Sequence, residues 1–176
     1  MNAKLTWVLL LMPRMKRNRR RLVIAAVGVA MVGTVAAVAL GSPGSGRVTT
    51  LLVAKAVSNE TVQLNSDRIK FQTKGPTDVR VQTITFAPGG YSGWNHKPGF
   101  VIVAVQSGEV TKFDSQCNGT SYGPNSPNGA VFVEYGDDPE EVRNTSSAPA
   151  TVYATQVAPD ADPPVFRIED DPPPCA

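Results

Sequence analysis

His96 is the single histidine of the 176-residue chain, and the residues near it carry most of the chemistry the sequence offers. Asn95 and Lys97 flank it, and Glu140 lies in an acidic stretch with Asp137, Asp138 and Glu141. A transition metal wants several imidazole, thiolate or carboxylate donors. His96 and Glu140 together supply two. A desolvated Lys97 would be a Schiff-base nucleophile, but nothing beside it in the sequence argues for that use. The acidic stretch offers oxygens to calcium without the ordered spacing of a calcium loop, so a solvated turn is expected there. The chain has no Ser–His–Asp set, no phosphate-cradling glycine loop and no paired-cysteine metal knuckle.

Charge divides the chain in two. The first 41 residues hold seven basic groups and no acid, which leaves ten basic residues against fifteen acids from Ser42 onward. The net +2 thus averages a basic leader with an acidic domain of −5. Such a domain has no basic face for nucleic acid. Leu22 to Gly41 is uncharged and nearly all apolar or small. As a helix it would span roughly 30 Å, the thickness of a bilayer core. The basic residues before it orient the N-terminus inward. Two readings stay open for residues 1–41. One is a signal peptide cut after Ala39 or Gly41; the other is a retained signal anchor. Arg19-Arg20-Arg21 also has the look of a twin-arginine signal, and a start at Met15 would give a tidier leader. Each route places the domain outside the cytoplasm, in the membrane or secreted. There Cys117 and Cys175, the two cysteines, are expected to pair and tie the C-terminal tail to the loop after Phe113. Closing so long a loop is worth about 4 kcal/mol in the chain-entropy model.

The elements that must position these residues read as strands. Gly41 to Gly46 is a flexible spacer, with residues 42–58 expected as linker and entry segment and 59–176 as the domain. No stretch of the domain has a helical period; short β-rich runs recur between Gly, Pro, Asn and Ser clusters, as in an all-β sandwich or barrel. Val79 to Phe86 alternates, and Pro88-Gly89-Gly90 is expected to turn the chain. Phe100 to Val105 is wholly apolar, which predicts a central strand covered on both faces. Gln106-Ser107-Gly108 reads as a hairpin turn into Glu109–Phe113. Gly119 to Asn128 reads as a loop, and Ala130–Tyr135 and Thr151–Val157 as strands. The Pro- and Asp-rich tail is expected to lie across the surface.

Spacing then adds a family resemblance. Gly89, Asn95-His96-Lys97, Val101 and Gly108 resemble the first cupin motif, Gly-x5-His-x-His-x3–4-Glu-x6-Gly. Gly129, Tyr135-Gly136-Asp137, Glu140 and Asn144 resemble the second, Gly-x5-Pro-x-Gly-x2-His-x3-Asn. The resemblance covers residues 79 to 157 and implies a double-stranded β-helix, the cupin jelly-roll barrel, with a site in its mouth. It also implies that Asn95, Lys97, Val101 and Glu140 stand where the family holds a metal. An amide, an ammonium, an aliphatic and a lone acid do not grip a transition metal. Strand alternation should turn His96 away from the side Asn95 and Lys97 share. A Lys97–Glu140 pair in place of the metal is one expectation, and two side chains leaning to water is the other.

The sequence thus points to a cupin-like module without a standard metal site, binding a small ligand or serving as structure. Trp94, Asn95, Lys97, Val101, Phe132 and Glu140 are the candidate pocket residues. No cofactor is expected. The alternative is a cupin metalloenzyme of oxygenase or isomerase type, using a divalent transition metal at His96 and Glu140. A third reading is an interaction domain for a cell-envelope component. A homodimer is expected by family analogy alone.

Overall fold

A computed structural model describes residues 43–176. The leader read as signal peptide or anchor, residues 1–41, lies outside them. Among the described residues there are twelve strands and no helix, hence none long and apolar enough to cross a membrane. The strands are β1 (Ser45–Ser58), β2 (Gln63–Ser66), β3 (Ile69–Gln72), β4 (Thr77–Tyr91), β5 (Asn95–His96) and β6 (Phe100–Ser107). They continue as β7 (Val110–Phe113), β8 (Gly119–Tyr122), β9 (Val131–Tyr135), β10 (Glu141–Arg143), β11 (Ala150–Pro159) and β12 (Ile168–Glu169).

Eight of them make a single sheet in the order β8-β7-β10-β4-β11-β6-β9, with β1 also paired to β4. The sheet rolls into a nearly closed antiparallel barrel because β4 serves two neighbourhoods. Thr77 to Phe86 pairs with β11 and with β1. Gly89 to Ser92 then turns to β10, through Gly89 N–H to Asn144 O (2.9 Å) and Ser92 N–H to Val142 O (2.8 Å). Pro88-Gly89-Gly90, expected as a turn, therefore lies inside a long bent strand, with the register against β1 slipping beside it. Such irregularities bend a strand and let a sheet curl.

Four other expectations need correction. Gly119 to Tyr122 of the expected loop forms β8, paired with β7. Residues 45–58 of the expected linker form β1 along β4. Gln106-Ser107-Gly108 is no hairpin: β6 pairs with β11 and β9, whereas β7 pairs with β10 and β8, so the turn carries the chain to the far part of the sheet. Only glycine serves at this corner, since Gly108 has φ +73° and a Cβ there would meet Pro149 O at 2.6 Å. Finally, β6 is central but covered on one face. Val101, Val103 and Val105 are buried, while Ile102 is 44% exposed. A run of apolar residues does not separate one-sided from two-sided cover.

The core fills the barrel between Phe86, Val103, Val105, Val110, Phe132, Val142, Ala150 and Val152. Asn144 is fully buried beside it and ties three segments. Its Nδ2 donates to Phe86 O (3.2 Å) and Ala148 O (2.8 Å), and its Oδ1 accepts from Ser146 N–H and Oγ–H. Asn144→Ala is expected to lower stability by about 2 kcal/mol, because it removes the four hydrogen bonds of a fully buried amide. Urea unfolding checks this, with an unchanged midpoint as the contrary result.

The tail does more than lie across the surface. After β11 it crosses the barrel mouth and adds β12 to β5. Phe166 is buried, with the Arg80 guanidinium over its ring at 4.0 Å. The Arg167 guanidinium donates to Ser92 O at 2.9 Å. Cys175 is joined to Cys117 in the turn between β7 and β8, as expected from the cysteine count.

Candidate functional site

The two-residue strand β5 sets the geometry of the site. Asn95 exchanges backbone hydrogen bonds with Glu140, N–H to O at 3.0 Å and the reverse at 2.9 Å. Its side chain is 1% exposed, and Nδ2 donates to Gly93 O (2.8 Å) and Glu140 O (3.2 Å). With Nδ2 fixed in this way, Oδ1 faces Lys97, whose ammonium donates to it. Lys97 is itself buried, and its Nζ lies 3.3 Å from Glu134 Oε2 on β9. Glu134 is held there by register, since it pairs with Val101 across β6 and β9. One ammonium thus links β5 to β9 through an amide and a carboxylate. Burial pushes the Lys97 pKa below its ordinary value, Glu134 resists, and the nearby Arg167 charge adds to the lowering.

Glu140 has another partner. Its carboxylate meets Lys112 Nζ at 2.6 Å, and Lys112 also donates to Val133 O at 3.0 Å. The expected Lys97–Glu140 pair is therefore replaced by two pairs, Lys97–Glu134 and Lys112–Glu140. Burial raises the Glu140 pKa, and the Lys112 bond only partly offsets this. A carboxyl group whose folded pKa exceeds its unfolded one contributes stability at low pH and loses it as pH rises through the folded value. Glu140→Gln removes that loss. The variant should therefore gain on the parent in thermal midpoint as pH climbs from about 4 toward 7. A constant difference across that range would show that Glu140 is not the titrating group.

His96 sits on the opposite side of β5 from Asn95 and Lys97, as strand alternation requires. Its Nδ1 lies 2.9 Å from Asp170 Oδ2 in the tail. Among the described residues no group of three His, Cys, Asp or Glu converges on one point. The site does not suit the metal that the family motifs imply. The imidazole is turned outward onto Asp170, Glu140 is engaged by Lys112, and an ammonium stands beside Asn95.

Below the Lys97 ammonium lies a cavity of about 380 Å³ inside the barrel. Strand register builds it in rows. Arg80, Gln156, Val101 and Glu134 form one row across β4, β11, β6 and β9. Gln82, Ala154 and Val103 form the next, backed by Phe132 of the core, and Ile84 and Val152 the row after it. The chamber is polar at one end and apolar toward the other. Arg47 of β1 and Arg167 of the tail complete its polar side.

Of the six pocket candidates, Lys97 and Val101 line this cavity. Trp94 and Phe132 are packed instead, Trp94 being 3% exposed and Phe132 lying against Tyr122 in the core. Asn95 acts through Lys97, and Glu140 belongs to the neighbouring ion pair. Glu134, Arg80, Gln156, Arg47 and Arg167 were missed. Two left a trace in the sequence: Glu134 interrupts the inward face of Val131–Tyr135 two residues after Phe132, and Gln156 follows Val152 and Ala154 on one face of β11.

The chain is similar in fold to cupin domains. One is the Cupin_2 domain of an XRE-family transcriptional regulator from Enterobacter cloacae, at 18% identity and TM-score 0.42, covering 66% of this chain and 100% of that one. Another is a cupin domain from Bordetella pertussis, at 15% identity and TM-score 0.41, covering 67% and 97%. A third is Rru_A2000 from Rhodospirillum rubrum, a cupin-2 domain, at 11% identity and TM-score 0.45, covering 71% and 68%. The likeness is one of fold alone. No family model matches the sequence, and no curated protein matches it.

Proposed function

We propose that the domain is an extracytoplasmic, cupin-like module that receives a small organic molecule in its barrel without a transition metal. The observation that carries this reading is the buried Lys97 ammonium, bonded to Asn95 and Glu134 above an internal cavity. A fixed positive charge is supplied by the chain where the family motifs would place a cation. The cavity falls at the small end of the range for small-molecule sites, about 300–1,000 Å³. The extracytoplasmic address draws its support from the basic, apolar leader and the Cys117–Cys175 bridge. A homodimer remains part of the proposal by family analogy.

The test is made on protein exported to an oxidising compartment and purified without chelator. Elemental analysis is combined with native mass spectrometry and a thermal-shift screen of small metabolites. The expected result is sub-stoichiometric transition metal together with a saturable shift from at least one metabolite. Stoichiometric metal that disappears in Glu140→Ala would overturn the reading in favour of a metalloenzyme.

A second reading, docking to a cell-envelope component, is favoured by one observation. The β1 strand presents Val48 at 70% and Leu52 at 55% exposure along the barrel side. Loss of envelope association in a Val48→Lys/Leu52→Lys variant would support it.

A further inference from the structure

We infer that the molecule taken into the barrel is a compact organic carboxylate with an apolar body and a hydrogen-bond donor, its anionic end held among Arg47, Arg80, Lys97 and Arg167. This rests on the binding reading above and adds the ligand's chemical class. Charge placement is the first argument. Of the ten basic residues beyond the leader, four line this cavity; of the fifteen acids, Glu134 alone does. An acidic domain has thus gathered its cations around one chamber, and such a chamber focuses an attractive field on anions.

The pairing of those charges is the second argument. Glu134 is taken by Lys97, and Arg167 by Glu169 just outside the cavity. The ion pairs of the described residues leave Arg47 and Arg80 without a carboxylate partner. Arg80 is instead engaged over the Phe166 ring. Burial and the Arg167 charge push the Arg47 pKa down and Glu169 only partly offsets them, which marks like charges crowded in a desolvated place. An anion entering there relieves the repulsion, and a carboxylate matches the forked donors of arginine.

Gln156 supplies the third argument. It is 5% exposed and faces the cavity, and its Nε2 donates to Phe166 O at 3.1 Å. Its Oε1 has no partner, although it stands in the same row as Arg80 and Glu134. A buried acceptor is usually satisfied, and a hydroxyl on the ligand would satisfy it. Beyond that row Ile84, Val103, Val152 and Ala154 are aliphatic beside the single amide of Gln82, so the body of the ligand meets a mainly apolar wall and must be short.

The experiment is isothermal titration of the oxidised domain with mandelate, 4-hydroxybenzoate and cyclohexanecarboxylate. Each acid is matched with its primary amide and amine, and 4-hydroxybenzoate also with phenyl phosphate. Expected is saturable binding of mandelate or 4-hydroxybenzoate, tighter than that of cyclohexanecarboxylate, which lacks a donor for Gln156, and with its amide weaker by about tenfold or more. Cyclohexanecarboxylate binding as well as both hydroxy acids would overturn the donor assignment. The acid's affinity should fall as salt is raised. Arg47→Gln should weaken the acid by a similar factor and leave the amide unchanged. Arg80→Gln is the second variant, used if circular dichroism shows that Arg47→Gln has not folded. Amides or amines binding as well as the acids would overturn the charge assignment while leaving the binding reading intact. Phenyl phosphate binding more tightly than every acid would overturn the carboxylate assignment in favour of a phosphate ester. Binding of none of these compounds, with no shift in the metabolite screen, would sink the binding reading itself.

Discussion

Lys97→Met is expected to destabilise the domain by about 3–5 kcal/mol, the loss seen when one member of a buried ion pair is removed. The reason is what stays behind. The Glu134 side chain is 8% exposed and its carboxylate would face an apolar neighbour, while Asn95 Oδ1 would lose its donor. Lys97→Met/Glu134→Leu should recover most of the loss, because a well-packed apolar pair of similar volume is often as stable as the ions it replaces. Lys97→Arg should rescue poorly, since a planar fork does not fit a site shaped around one ammonium. The same cycle run on Lys97 with Glu140 should give a small coupling energy, because Glu140 is bonded to Lys112. Urea unfolding of the four proteins in each cycle decides the matter. Losses in the single Lys97 and Glu134 variants that simply add in the double variant would show that the pair is not the coupled unit.

Reducing the Cys117–Cys175 bridge, or replacing Cys175 by Ser, should lower stability by up to about 4 kcal/mol, from loop closure in the unfolded chain. The bridge spans 58 residues and fastens the tail to the turn between β7 and β8. Short contacts hold the rest of the tail: the two-residue pairing of β12 with β5, Asp170 N–H to Trp94 O at 3.1 Å, and the Asp170–His96 contact. With the bridge gone, amide protons of Ile168 to Asp170 should exchange much faster, while those of β11 remain protected. Hydrogen exchange followed by mass spectrometry reads both segments. A thermal midpoint indifferent to reductant, with tail protection unchanged, would contradict this account.

What the sequence made legible was the frame. Gly89, Gly108, Gly129 and Asn144 fall at the spacing of the cupin motifs because the backbone dictates those residues. All three glycines have positive φ, and Asn144 joins Phe86 O of β4 to the turn at Ser146 and Ala148. The alternation of Val79–Phe86 and Thr151–Val157 gave two strands, which the structure pairs side by side in the barrel. The cavity was much less visible. Its polar row is assembled from β4, β6, β9 and β11, and register across four strands is a tertiary fact that local pattern does not carry. Aromatic type suggested Trp94 and Phe132 for the pocket, but their size made them core, and smaller Ala154 and Val103 leave the space. The Lys97–Glu140 expectation failed for a related reason. Shared motif positions bring the two side chains near, yet Lys112 from β7 and Glu134 from β9 are nearer partners.

The chamber draws on both extremities of the domain. Arg47 enters on the first strand, and Arg167 arrives in the tail after β11. A ribosome that has delivered everything up to Pro159 has made a complete wall of strands and an unfinished vessel. The wall is thus closed at one place by a segment that joins it last in chain order, and removing the residues after Pro159 would take away the Arg167 charge together with the Cys117–Cys175 bridge.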